Sequence, residues 1–193
     1  MIRFLSMSVI FFIMGGCSSK GVLPLNIYTL QAKKTLPLSP SLHQYQTIKV
    51  SFPQTLKEKI TNKINYSYSA NEQGIYLHSQ WSNNSGKLIQ GSVIQTLDGS
   101  RLFKAVLPYE STAGEELRLE SNIYDFSQHV RGDLSYAVVS MQFSLIDTDT
   151  GKLIRTKRFT YQENTKTTDA KGYVEATQKA MDRLCSDLVK WLR

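Results

Sequence analysis

The chain predicts an α+β domain: a mostly antiparallel sheet with two helices packed on one face. Three observations carry that expectation. Residues 116–126 and 135–146 alternate apolar and polar side chains with a period of two, as half-buried strands do. Asp147-Thr148-Asp149-Thr150-Gly151 is rich in turn residues and leads into another extended stretch at 152–162, which makes an antiparallel hairpin. From Ala170 to Leu192, a stripe of Tyr173, Thr177, Ala180, Met181, Leu184, Leu188, Trp191 and Leu192 recurs at helical spacing, with Asp169 placed to cap it.

The remaining elements follow in order. Asn26 to Leu30 reads as a first strand, and the stretch with Lys33, Lys34, Pro37 and Pro40 as a loop. Gln46 to Phe52 sets Ile48, Val50 and Phe52 on one side, and Pro53 ends it. Thr55 to Lys63 fits either a short helix or a loop. Asn65 to Ser69 and Ile75 to Trp81, separated by Asn71 to Gly74, suggest a small hairpin or two edge strands. Leu88, Ile89, Val93, Thr96 and Leu97 then approximate a helical stripe within Asn83 to Leu97, with Asp98-Gly99 as its stop. Gly86 and Gly91 each weaken that helix by about 1 kcal/mol, so tertiary packing must hold it. Phe103 to Leu107 reads as a strand.

Ahead of the domain lies a different kind of segment. Arg3 gives a positive start, Phe4 to Met14 is almost wholly apolar, and Met14-Gly15-Gly16 sets small residues before Cys17. That is the pattern of an export leader ending in a lipobox. The apolar run is about half of the roughly 20 residues a helix needs to cross a bilayer, so it reads as a removable leader rather than a span. The expected organisation is a signal peptide at 1–16, lipidated Cys17 with its tether at 17–25, and a single domain at 26–193. Cys17 is the lipidation site: two or three acyl chains anchor a protein durably where one holds it only marginally. The eight residues from Ser18 to Leu25 reach at most roughly 26–29 Å when extended, so the domain stays near its membrane.

The 193 residues carry a formal charge of +7. Such a balance suits nucleic acid, an anionic membrane or an acidic partner, and export argues against nucleic acid. The positive residues are scattered, with groupings at Lys33-Lys34, Lys57 to Lys63 and Arg155 to Arg158. They read as a solvated basic surface or a lipid-facing one. With Cys17 acylated, Cys185 has no partner for a disulfide, and its place on the helical stripe makes it an inert buried thiol.

Catalytic patterns are missing. There is no Gly-x-Ser-x-Gly elbow and no His-Glu-x-x-His pair, and Trp81 stands where a phosphate loop ending in Gly86-Lys87 would need glycine. Asp147, Asp149 and Gly151 resemble the start of a calcium loop, but Arg158 occupies the position of its bidentate Glu. His43, His78 and His129 lack ligand spacing, and Asp125 and Asp133 near His129 read as loop polarity. No catalytic residue, cofactor or metal is expected. The ten Tyr and eight Phe residues serve core packing, cross-strand pairs, or an interface or lipid surface.

Taken in order, these features resemble the ABC-type transport auxiliary lipoproteins. The residues that carry the resemblance begin with Cys17, a short tether to Tyr28-Thr29-Leu30, the Ile48-Lys49-Val50 strand ending at Pro53, Trp81 opening a helix, and Phe103 to Val106. They continue with Ile123 to Phe126, the Asp147 to Gly151 hairpin with Phe159, and a closing helix with Ala176, Ala180, Leu184, Leu188 and Trp191-Leu192. The resemblance implies no enzymatic activity and no cofactor. It implies a periplasm-facing partner of a permease, an ATPase and an MCE-domain substrate-binding protein, with phospholipid or similar hydrophobic cargo and a possible homo-oligomer. Ser18 after Cys17 favours, by analogy with lipoprotein sorting, the outer membrane. The competing class is an outer-membrane assembly lipoprotein of the lipopolysaccharide-insertion type. A lipid-anchored hydrolase using His129 or Asp125 is a third, without a motif behind it.

Overall fold

The computed structural model describes residues 23–33, 37, 43–55 and 61–193. Among them the order is β1 (Asn26–Tyr28), β2 (Thr47–Val50), β3 (Gln54–Thr55), β4 (Lys63–Ser67), β5 (Gln73–Trp81), α1 (Ser85–Ser100), β6 (Ala105–Pro108), β7 (Leu117–Arg131), β8 (Leu134–Asp147), β9 (Leu153–Asn164) and α2 (Ala170–Leu192). Of the ambiguous Thr55 to Lys63 stretch, residues 56–60 lie outside the described residues, and its two ends are extended.

Strand β7 is the axis. One edge pairs antiparallel with β8 along its whole length, from Leu117 opposite Asp147 to Arg131 opposite Leu134. The other edge is shared by three short strands in succession, all parallel to it: β2 beside Leu117–Leu119, β3 beside Asn122–Ile123, and β4 beside Gln128–His129. Beyond β2 lies β6, in parallel; beyond β4 lie β5, antiparallel, and β1, parallel to β5. The sheet is therefore mixed, which corrects the expectation of a mostly antiparallel one. Tight turns betray antiparallel neighbours locally, whereas β2 and β6 meet only after the chain has crossed over through α1, and no short-range pattern marks that pairing.

Both helices do lie on one face, α1 against β2 and β6, α2 against β8 and β9, and they touch each other. The inward set Ala137, Val139, Met141, Phe143 and Leu145 of β8 is fully buried, as its alternation predicts. In β7 the pairs Ile123–Met141 and Asp125–Ser140 leave Tyr124 as an extra residue. This bulge lets Ile123 and Phe126 both face the helices while Tyr124 and Asp125 both face away. The strand then runs on to Arg131, with the turn at Gly132 (φ +59°), so His129 and Asp125 belong to a strand, not to a loop.

Helix α2 begins as expected, with Asp169 Oδ1 accepting the Gly172 N–H at 2.7 Å. Helix α1 starts on the Asn84 side chain, which accepts the Gly86 N–H at 2.8 Å. Its expected stop at Asp98-Gly99 is overrun by a turn: the helix ends on Arg101, in the left-handed conformation at φ 58°. That conformation costs a non-glycine residue roughly 1–2 kcal/mol. Leu102, fully buried just beyond, offsets it with about 1.5–3 kcal/mol of burial. Trp81 closes β5 instead of opening the helix.

Candidate docking site

The hairpin turn sets the site. Asp147 Oδ1 accepts both the Thr150 N–H and the Thr150 hydroxyl at 2.8 Å, which ties that oxygen into the turn. Gly151 at φ +67° completes the reversal. Among the described residues β9 pairs with β8 alone, so its outer side is an open edge.

The register decides what that edge presents. Thr165 N–H donates to Ser135 O at 2.9 Å beyond the end of the ladder. In an antiparallel pair such bonds recur at every second residue, so odd-numbered residues 155 to 163 turn their backbone groups to β8. Thr156, Arg158, Thr160, Gln162 and Asn164 turn theirs outward. The side chains alternate in step: odd positions face α2 and even positions face away from the helices.

The last turns of α2 rise beside this edge and form a wall. A shallow groove of about 410 Å³ runs between them, lined by residues 157 to 161 and by Asp187, Lys190 and Trp191. Phe159, 4% exposed, is its floor, edge to face with Phe143 and Trp191 at 6.0 and 6.1 Å. Asp187 is committed within the wall: it accepts from Lys190 Nζ at 2.9 Å and from the Tyr161 hydroxyl at 2.7 Å. Those two bonds hold its carboxyl below the usual range, while burial and the Asp187 carboxylate push the Tyr161 phenol up. Glu163 is likewise taken by Arg183.

The cations of β9 have no such partners. Arg155 Nη1 donates to Trp191 O at 2.6 Å, Lys157 lies 5.0 Å over the Phe159 ring, and Arg158 lies 4.1 Å over the Tyr124 ring with bonds to Ser140 Oγ. Among the described residues none of the three forms an ion pair with a carboxylate. The Arg155 to Arg158 grouping seen in the sequence is thus a concentrated positive edge beside aromatic rings, more specific than a scattered basic surface. Sequence reasoning missed the edge itself. Which strands lie beside β9 is decided by long-range pairing, which no local pattern in the sequence marks.

The helix-free face carries a second polar cluster. His129 Nε2 lies 2.8 Å from Asp125 Oδ2, and the Ser127 hydroxyl donates to Asp125 Oδ1 at 2.6 Å. Arg131 Nη2 approaches His129 Nδ1 at 3.3 Å, and Tyr136 stacks on the imidazole at 5.4 Å. A guanidinium can only donate, so it makes Nδ1 the acceptor and leaves the imidazole proton on Nε2, toward Asp125. In a nucleophilic triad the acid and the hydroxyl occupy opposite ring nitrogens. Here both face Nε2, and the hydroxyl proton goes to the carboxylate, so the trio ties strand neighbours together and does not activate Ser127.

His43 stacks on Phe103 at 5.6 Å and His78 is exposed on β5. No group of metal-ligating side chains gathers among the described residues. Cys185 is buried, and burial pushes its thiol up to about 11, which suits an inert thiol. Cys17 lies outside the described residues. No described helix is long and apolar enough to cross a membrane.

Two helices on one face of a mixed sheet, with the basic edge of β9 open among the described residues, define an α+β domain. A family model described as ABC-type transport auxiliary lipoprotein component matches residues 28–189, and the chain belongs to that family. Its fold is similar to that of the protein XCC0632 from Xanthomonas campestris (TM-score 0.75, 18% identity, 86% of this chain and 94% of that one). It is also similar to an uncharacterised protein (TM-score 0.68, 13% identity, 88% and 99%) and to the hypothetical protein CT253 from Chlamydia trachomatis (TM-score 0.51, 10% identity, 77% and 95%). None of the curated proteins matches it in sequence.

Proposed function

We propose that the protein is a lipid-anchored, periplasm-facing docking component of an MCE-type ABC transport system. Its partners are the MCE-domain substrate-binding protein, the permease and the ATPase, and its cargo is phospholipid or a similar hydrophobic molecule. Residues 1–16 are the leader, Cys17 carries the acyl chains, residues 17–25 tether the domain, and residues 26–193 dock, most naturally from the outer membrane. The observation that carries this reading is the family match over residues 28–189, which begins a short tether's length after Cys17. Exposed apolar residues support a surface close to lipid: Leu23 and Leu25 at the end of the tether and Ile27 just beyond it are 62%, 50% and 60% exposed.

The test is a pull-down of the natively lipidated protein from membranes, read by mass spectrometry, with Cys17→Ala as control. Recovery of an MCE-domain protein with its permease, reduced in the Cys17→Ala variant, is the expected result. Recovery of a β-barrel insertion machine instead, or of no partner, overturns it in favour of an envelope-assembly role.

A further inference from the structure

We propose that the outer edge of β9 receives an extended, carboxylate-bearing segment of a partner protein as an additional strand. The inference rests on the docking reading and names where and how docking occurs.

Five residues, Thr156 to Asn164 at every second position, turn backbone N–H and C=O groups to a side on which no strand lies among the described residues. An open edge of that length is a template for another chain, and lysines alone often serve to blunt it. More than blunting is present here. The end of α2 walls the edge, so that Trp191 and Phe159 give an incoming strand apolar surface on its helix-facing side. On that side Lys157 awaits a carboxylate; on the opposite side Arg158, 4.1 Å over the Tyr124 ring, awaits another. Strand addition with ladder bonds for affinity and alternate side chains for specificity is the matching mode.

Charge also selects the occupant. Among the described residues the other open strand edges of a second copy are β1, β3, β6 and the part of β5 from Gln73 to His78 that β1 leaves uncovered, and none of them contains an acid. A β9–β9 pair that uses all five outward residues centres on Thr160 and sets Lys157 opposite Glu163, which Arg183 already holds, and Arg158 opposite Gln162, so it supplies neither cation with a free carboxylate. The occupant is therefore a different protein with Asp or Glu in an extended segment.

The test uses the natively processed full chain in detergent solution and a fluorescein-labelled ten-residue peptide repeating Glu-Glu-Val-Val, which sets Glu and Val in turn on each face of an extended strand, with a twin in which Lys replaces every Glu. The acidic peptide should bind saturably and the basic twin should not. Lys157→Glu, an exposed change, should weaken binding at least tenfold. Thr160→Pro deletes an outward N–H without touching the β8 ladder, so it should abolish binding, while Thr160→Val retains it. Circular dichroism verifies that the proline variant folds; if it does not, Lys157→Glu decides alone. No binding, equal binding of both peptides, or indifference to Lys157→Glu overturns the proposal. So does competition by phosphatidylglycerol vesicles in place of peptide binding, which would mark a lipid site, or self-association lost in Thr160→Pro, which would mark a second copy. Peptide binding that survives a failed pull-down would sink the transport reading and leave the edge site standing.

Discussion

The indole of Trp81 lies edge to face with the phenol ring of Tyr173, centroids 6.0 Å apart, and joins the last residue of β5 to the first turn of α2. Phe126 of β7 flanks the same indole at 5.8 Å, and Trp81 is 1% exposed. Three elements distant in sequence thus meet on one side chain. Trp81→Ala removes the shared contact and leaves a cavity, and should cost about 3–5 kcal/mol. Urea denaturation followed by circular dichroism measures it; a loss below 1 kcal/mol would show that the wing formed by β1, β4 and β5 is not coupled to α2.

Glu115 is a second junction. Its carboxylate takes Lys49 Nζ and Arg118 Nη2, each at 2.7 Å, and thereby relieves two cations that the parallel pairing of β2 with β7 sets side by side. The side chains of Glu115 and Lys49 are 9% and 10% exposed, but that of Arg118 is 32% exposed and screened by solvent. Glu115→Gln should therefore destabilise by roughly 1–3 kcal/mol, below the 3–5 of a fully buried pair. The Lys49→Met, Glu115→Leu double variant should recover part of the loss, and a thermal melt of the three proteins decides.

Acid stability follows from the carboxyls held low. Hydrogen bonds from Lys49 and Arg118 lower Glu115, the Gly172 N–H lowers Asp169, and Lys190 and Tyr161 lower Asp187. A depressed folded-state pKa contributes stability that is full above the unfolded value of about 4 and fades as pH falls through the folded one. The melting temperature should be level near neutrality and drop below about pH 4. Asp169→Asn keeps a capping oxygen but no titration, so it should flatten part of that drop, whereas Asp169→Ala should cost about 1 kcal/mol at neutral pH.

The parts of this fold legible in the sequence are those with short-range causes. The alternation of Ala137 to Leu145 marked a buried strand face, Asp147 to Gly151 marked the hairpin, and Asp169 marked the start of α2. The parallel neighbours of β7 were illegible because their pairing is decided by burial on a sheet assembled across a crossover. The end of α1 was misread for a related reason: Asp98-Gly99 satisfies a local preference, and the burial of Leu102 outweighs it. At the outer edge of β9 the basic residues were visible, but the wall built by Trp191 and Asp187 required the packing of α2 on β9.

Two glycines separate local propensity from packing in a single comparison. Gly91 lies inside α1 with nothing within 4 Å of the Cβ an alanine would add. Gly91→Ala should therefore return the propensity that glycine loses and stabilise by up to about 1 kcal/mol. Gly172 is also helical, but its added Cβ would drive into the backbone oxygen of Thr167 and lie 2.6 Å from Thr167 Oγ1. That contact pulls apart the turn in which Thr167 and Gly172 both bond Asp169. Overpacking of this kind costs typically 1–3 kcal/mol, more than alanine's propensity gain, so Gly172→Ala should destabilise. Opposite signs in matched thermal melts are expected; equal stabilisation of both would show that the Asp169 cap does not depend on the close approach of Thr167 to α2.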